Sequence, residues 1–126
     1  MAGTLTISTL SDGTNSTSAT NCIQGSAKAW VEFNGVTTVT VRGSYNVSSV
    51  TRASSGDYTI NFTTAMPNAN YSVVGTCSPN ITGSKARMFT APYATAPSTS
   101  AVRCATADFT GAFEDQQYVN VAVFSS

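Results

Sequence analysis

Between residues 28 and 62 the chain alternates apolar and polar residues, with turn residues at the points where the alternation breaks. A period of two with turn residues at the breaks is typical of antiparallel β-strands. The alternation breaks at Asn34-Gly35, at Gly43 and at Ser55-Gly56-Asp57.

At 126 residues the chain has the length of one domain, long enough to bury a core without disulfides or metal.

The chain has little charge: six basic residues balance six acidic ones. A neutral chain lacks the basic surface that binds a phosphate backbone, so we expect no nucleic-acid partner. No apolar run is long enough to cross a bilayer, and the N-terminus lacks a basic and apolar signal peptide, so we expect no membrane insertion. Many Ser and Thr residues, which suit turns and strands, favour an all-β protein with a hydroxyl-rich surface.

The three cysteines, Cys22, Cys77 and Cys104, are odd in number and far apart in the sequence. This spacing supports neither a disulfide framework nor a metal site. We therefore interpret them as small buried thiols of a protein made in a reducing cytoplasm.

Residues 1–27 differ from the rest of the chain. Leu5 and Ile7 share one face of a predicted strand over residues 4–8, and residues 11–21 are almost wholly small and polar. The polar stretch predicts an extended arm or long loop, which either docks on another subunit or remains solvated. Residues 28–126 then form the β-domain.

In the β-domain, alternation places Ala29, Val31 and Phe33 on one face of a strand over residues 28–33. No stretch has a useful helical period, and eight or nine short strands predict an antiparallel β-sandwich or jelly roll. The pattern predicts a tight turn at Asn34-Gly35, a turn at Gly43-Ser44 and a polar turn over residues 52–57. The other predicted strands are residues 36–42, continued by Tyr45 and Val47, then 57–63, 70–76, 86–90, Ala101–Ala107 and Tyr118–Phe124, with a proline-containing loop over residues 91–100.

Two features of these strands depart from a simple pattern of buried and solvated faces. Trp30 falls on the more polar face of its strand, where it is a sugar-stacking platform, a subunit contact, or a side chain packed under a loop. Tyr118–Phe124 is apolar on both faces, which predicts burial on both. That strand lies either under a loop or in a subunit interface, and we favour the interface.

The sequence contains no recognisable catalytic constellation. It has no histidine, and its one adjacent acidic pair, Glu114-Asp115, would point to opposite faces of a strand. A Ser–Lys dyad on Lys28 or Lys85 has no support, since every surface serine is equally eligible. We therefore predict no enzymatic activity, no catalytic residue, no metal and no cofactor.

Two stretches, AKAWVEFNG at residues 27–35 and VRGSYNVSSVTRASSGDYTINFTTAMPNANYSVVGT at residues 41–76, carry a resemblance. They are similar to a β-rich module of tailed-bacteriophage virion proteins, which also closes on an apolar strand like Tyr118–Phe124. The likeness extends from about Leu10 to the C-terminus. Many proteins with this module look like tail fibres that carry it as a trimeric distal head.

The resemblance implies a homotrimer on the virion surface. Because no shaft precedes the module in this sequence, we expect a capsid decoration or cement protein, bound to the major capsid protein or another virion protein. The alternative is the distal head of a tail fibre that recognises a host surface glycan, since aromatic faces stack on sugar rings and arginine binds polar groups in a fork. The candidate capsid or subunit contacts are Leu5, Ile7, Leu10, Tyr118 and Phe124, and the candidate glycan contacts are Trp30, Arg87 and Tyr93.

Overall fold

The computed structural model describes residues 2–82 and 86–126. Within these residues the protein has ten strands and one short helix, so the all-β prediction is confirmed. The elements in chain order are β1 (Thr9–Ser11), β2 (Ser16–Ser18), α1 (Ala19–Gly25), β3 (Ala29–Asn34), β4 (Thr40–Tyr45), β5 (Val47–Ser54), β6 (Asp57–Phe62), β7 (Ser72–Ser78), β8 (Met88–Thr90), β9 (Ala101–Ala107) and β10 (Tyr118–Phe124).

Eight of these strands form two four-stranded antiparallel sheets. The front sheet has the order β4-β3-β10-β7, and the back sheet has the order β5-β6-β9-β8. Their inner faces share one core, in which the rings of Phe33 and Tyr58 meet edge to face at 5.1 Å. This is a β-sandwich-like arrangement, in which alternate residues of each strand turn inward.

Four of the predicted strands lie within one residue of their predicted bounds. Strands β9 and β10 have the predicted bounds, and β6 differs by one residue at its end. In β6 the predicted inward residues Tyr58, Ile60 and Phe62 are all buried. In β3 the core face is the predicted one as well, with Ala29, Val31 and Phe33 buried.

The predicted turn at Gly43-Ser44 is wrong. Gly43 lies within β4, opposite Glu32, and a bulge shifts the pairing so that Val41 lies opposite Phe33. The chain instead turns at Asn46, which has a positive φ of 54°. At this residue the chain passes from β4 of the front sheet to β5 of the back sheet. The Asn46 side chain holds this corner, because its Nδ2 donates to the carbonyls of Lys28 (3.0 Å) and Thr64 (3.1 Å).

Two other turns differ from their predicted lengths. The tight turn predicted at Asn34-Gly35 is a five-residue connection between β3 and β4, in which Thr37 has a positive φ of 60°. The polar turn predicted over residues 52–57 shrinks to Ser55-Gly56, because β5 continues to Ser54. Strand β5 is therefore longer than the polar composition suggested, whereas β6 begins at the predicted residue.

The N-terminal prediction is also wrong in detail. Residues 4–8 form no strand, and the polar stretch folds as the hairpin of β1 and β2 followed by helix α1. Ser18 caps the helix by accepting a hydrogen bond from the backbone N–H of Asn21 at 3.2 Å. The helix has no buried residue. We call residues 2–25 the N-terminal lobe.

Candidate binding surfaces

One row of side chains crosses the outer face of the front sheet. Trp30 lies opposite Tyr45 on one side and opposite Ala122 on the other, and Ala122 in turn lies opposite Val74. The large members remain exposed: Tyr45 by 59%, Trp30 by 44% and Val74 by 52%. Strand pairing therefore builds an exposed apolar stripe across all four strands from residues that are distant in the sequence.

The small side chain in the middle of this row opens a groove of about 430 Å³. Ala122 lies at its floor, with the larger side chains of Trp30 and Val74 on either side. The next row along the strands is polar and also borders the groove. Its members are Glu32, Asn120 and Thr76, which lie opposite one another on β3, β10 and β7.

The indole of Trp30 leans over the neighbouring strand β4. A Cβ on Gly43 would lie 3.4 Å from Cζ3 and 3.5 Å from Cη2 of Trp30, so the six-membered ring lies over the glycine. With 44% of its surface exposed, Trp30 is not packed under a loop. The prediction that Trp30 lies on the outward face of its strand is confirmed. What Trp30 contacts on that face stays a prediction.

The outward face of β10 is partly covered by the protein's own side chains. Its inward residues Val119, Val121 and Val123 are in the core. At one end of the outward face, the guanidinium carbon of Arg42 lies 4.3 Å above the ring of Tyr118. Tyr118 and Phe124 are both partly buried, so their assignment as subunit contacts stays a prediction.

Arg87 and Tyr93 lie away from Trp30. Arg87 pairs with Glu114 at 2.7 Å, with only 12% of its side chain exposed. The ring of Tyr93 meets Phe113 edge to face at 5.2 Å, and Arg103 from the back sheet lies over it. Trp30 is on the outer face of the opposite sheet, so the three candidate glycan contacts do not form one site.

The two adjacent acids point to different partners, but they lie in a loop and not on a strand. Glu114 pairs with Arg87, whereas Asp115 binds Arg52 at 2.7 Å at one end of the sandwich. Burial opposes ionisation of Asp115, but hydrogen bonds from Arg52, the N–H of Gly56 and Tyr58 outweigh it and lower its pKa to about 2. Both acids are thus part of structural ion pairs.

Of the two lysines considered for a dyad, Lys85 lies outside the described residues. The Nζ of Lys28 lies 2.9 Å from the hydroxyl of Ser26 and also donates to the carbonyl of Ile23 in the last turn of α1. A lysine amine at this place satisfies the free carbonyls at a helix C-terminus. This contact therefore has a structural explanation.

The cysteines have three different environments and all are free thiols. Cys104 is buried, and burial raises its pKa to about 12. Cys77 is half-buried and burial raises its pKa as well. Cys22 is exposed on α1, so the prediction of a buried thiol is wrong for this residue because α1 buries no side chain.

The N-terminal lobe forms a second exposed apolar surface. Leu5 is 82% exposed, and Ile7, Leu10 and Ile23 also remain exposed. They surround an open cavity of about 350 Å³ together with Ala19 and Cys22. The lobe therefore presents apolar side chains without a core of its own.

Within residues 2–82 and 86–126, no three His, Cys, Asp or Glu side chains gather closely enough to hold a metal ion. The same part of the chain includes no helix with the length and apolar character of a membrane span. The chain matches no known protein family, curated protein or solved structure.

The groove residues Glu32, Thr76 and Asn120 were missed in the sequence because nothing in their own strands marks them. Alternation showed only that each points outward. Their meeting in one row depends on the register between β3, β10 and β7, which is set across gaps of more than forty residues. Trp30 was found because a tryptophan on a polar face is conspicuous by itself.

Proposed function

We propose that the protein is a non-enzymatic structural protein of a bacteriophage particle, a homotrimer that decorates or cements the capsid surface. The observation that carries this proposal is the N-terminal lobe, whose apolar side chains remain exposed beside a folded sandwich. The resemblance of residues 27–35 and 41–76 to a phage virion module is the reason for assigning the protein to a phage particle. The protein would be made in the host cytoplasm and assembled on the virion.

The exposed side chains of the lobe are suited to association. Fully burying a Leu or Ile side chain contributes about 1.5–3 kcal/mol. Leu5, Ile7 and Leu10, together with Ile23, therefore provide several kcal/mol when a neighbouring copy or the major capsid protein covers them. With no net charge, the protein depends on apolar burial rather than on long-range electrostatic attraction.

In this proposal the lobe contacts the capsid or a neighbouring copy, and the exposed parts of Tyr118 and Phe124 contribute to the trimer. A decoration protein acts through buried area that is repeated at every position on the particle. It needs neither a cofactor nor a reaction. Its copy number should be in the hundreds per virion, whereas a fibre head would be present in only a few copies.

Sedimentation equilibrium of the full chain, followed by co-sedimentation with capsids, tests the proposal. We expect a trimer that binds capsids, and weaker association for the triple variant Leu5→Ser, Ile7→Ser, Leu10→Ser. Ile81→Ser is the matched control, because Ile81 is as exposed as Leu5 but lies outside the lobe. A stable monomer that does not bind capsids would exclude the proposed function.

A second candidate function is the distal head of a tail fibre that recognises a host surface glycan. The exposed indole of Trp30 beside a polar row favours it. Excess free protein should then reduce adsorption of the phage to its host, and Trp30→Ala should abolish this competition. Adsorption that is unaffected by excess protein would count against this function.

A further inference from the structure

We propose that the groove on the outer face of the front sheet binds a neutral pyranose ring of an oligosaccharide, with Trp30 as the stacking platform and Glu32, Asn120 and Thr76 as hydrogen-bonding partners. The inference specifies the ligand of the second candidate function and rests on that function for its biological role. Binding in the groove can nevertheless be measured whether or not the protein associates with capsids.

The apolar part of the groove suits the C–H face of a sugar. The Trp30 ring lies over Gly43, whose missing side chain leaves room for it, and almost half of the indole surface is open to solvent. Opposite Trp30 on the next strand, Ala122 lines the groove with only a methyl group. A flat aromatic side chain next to a shallow floor provides a surface on which the apolar face of a pyranose can stack.

The polar row provides the groups that hydroxyls need. The Glu32 carboxylate accepts hydrogen bonds, the Asn120 amide both donates and accepts, and the Thr76 hydroxyl does both. Asn120 Nδ2 and Thr76 Oγ1 lie 3.5 Å apart, at the outer limit of a hydrogen bond, so both remain open to a ligand. Each hydroxyl of a sugar both donates and accepts hydrogen bonds, so it can pair with any of these three side chains.

Charge favours a neutral sugar over an acidic one. Arg42 lies 3.4 Å from Glu32, and this exposed pair leaves the groove border without net charge. No cation within the groove lining faces a sulfate or carboxylate of the ligand in the described part of the chain. Nucleic acid is disfavoured for the same reason, since stacking proteins of that class add a positively charged groove.

The size of the face favours a small ligand over a second copy of the chain held by this face alone. A seven-residue strand is about 24 Å long and four strands cover about 19 Å, which gives the face a footprint of about 460 Å². A standard protein interface takes about 800 Å² of accessible surface from each partner, so a copy bound here would have to reach beyond the face. The groove volume of about 430 Å³ lies within the range of small-molecule sites, about 300–1,000 Å³.

Trp30 is the only tryptophan, so the intrinsic fluorescence of the full chain reports on the groove directly. The probes are methyl glycosides of glucose, galactose, mannose and N-acetylglucosamine, and their β-linked and α-linked disaccharides. We expect a saturable change in emission with at least one series. Glu32→Gln and Asn120→Ala should each weaken binding about tenfold, the size expected for loss of a hydrogen bond to a charged or amide group.

Saturation-transfer NMR on Trp30→Ala should show no binding of the same sugar. Phe109→Ala is the control, because Phe109 is an exposed aromatic side chain away from the groove. Glu32→Gln and Asn120→Ala change exposed side chains, so they keep the test valid if Trp30→Ala does not fold. The inference is overturned if no sugar gives a saturable change or if Trp30→Ala still binds. It is also overturned if self-association of the chain abolishes the response to sugar, since another copy would then cover the groove.

Failure of this inference is distinct from failure of the proposed particle function. A monomer that binds sugar through the groove would exclude the decoration protein and retain the site. A capsid-binding trimer whose tryptophan does not respond to sugar would retain the decoration protein and exclude the site.

Discussion

The hydroxyl of Tyr58 donates a hydrogen bond of 2.7 Å to Oδ1 of Asp115, which lies 57 residues further along the chain. The same carboxylate accepts three contacts of 2.7–3.0 Å from the guanidinium of Arg52 and one of 2.9 Å from the N–H of Gly56. Asp115 therefore ties the β5–β6 hairpin to the loop that precedes β10. It closes one end of the sandwich beside the Phe33–Tyr58 ring pair.

Asp115→Asn should destabilise the protein by about 2–3 kcal/mol, because it leaves a partly buried Arg52 without its counter-charge. The measurement is the free energy of unfolding from urea denaturation. Glu32→Gln is the control, since the exposed Glu32–Arg42 pair should contribute at most about 1 kcal/mol. Equal effects of the two substitutions would show that the Asp115 network does not hold this end of the fold.

The lowered pKa of Asp115 predicts a loss of stability in acid. Its pKa is about 2 in the folded protein, against 3.8 in the unfolded chain. A folded pKa below the unfolded value contributes stability that is present above about pH 4 and is lost as the pH falls through about 2, here about 2 kcal/mol.

Urea denaturation between pH 5 and pH 2 measures this contribution. The wild-type free energy of unfolding should fall more steeply below pH 4 than that of Asp115→Asn, which has no carboxylate to protonate. Parallel pH profiles of the two proteins would contradict the lowered pKa.

Gly56→Ala should destabilise the protein far more than Gly111→Ala. Both glycines have a positive φ (67° and 90°), so both substitutions carry the strain of that backbone conformation, about 1 kcal/mol. Only at Gly56 would the new Cβ also meet backbone, at 2.3 Å from the carbonyl oxygen of Thr106. At Gly111 the nearest atom is the Met88 methyl at 3.8 Å.

Thermal unfolding followed by circular dichroism compares the two glycine variants. We expect Gly56→Ala to lose about 2 kcal/mol or more beyond the loss at Gly111, because a buried overlap with backbone cannot relax through a rotamer change. Similar melting temperatures would mean that the Ser55-Gly56 turn can move away from Thr106.

The sequence predicted the sheets best where one side of a strand is buried. β6 and β10 bury alternate residues over most of their length, so burial of one face determines both the strand and its orientation, whereas β9 is buried on both faces from Cys104 to Ala107. Gly43 was predicted as a turn because glycine often ends strands, but here it accommodates the Trp30 ring inside β4. The corner falls at Asn46, whose hydrogen bonds to Lys28 and Thr64 depend on tertiary contacts.

The N-terminal lobe was hard to predict because it has no core to impose a period. Its hairpin is held by local contacts, such as Asp12 Oδ1 accepting from the N–H groups of Thr14 and Asn15. Helix α1 is too short to show an apolar stripe and depends on the Ser18 cap. Arg87 was predicted as a glycan contact because arginine binds polar groups in a fork and no partner for it is visible in the sequence. The fold instead places it in an ion pair with Glu114.

Removal of residues 2–25 should leave the sandwich folded and almost as stable as the full chain. Helix α1 buries no residue, and in the described residues the lobe's polar tie to the β-domain is the Lys28 amine on the Ile23 carbonyl. We expect the free energy of unfolding to change by less than about 1 kcal/mol, whereas Phe33→Ala in the full chain should cost about 3–5 kcal/mol. Urea denaturation of the truncated chain, of the full chain and of Phe33→Ala measures the difference. A truncated chain as unstable as Phe33→Ala would show that the lobe supports the fold, and its exposed apolar side chains would then require an explanation other than association.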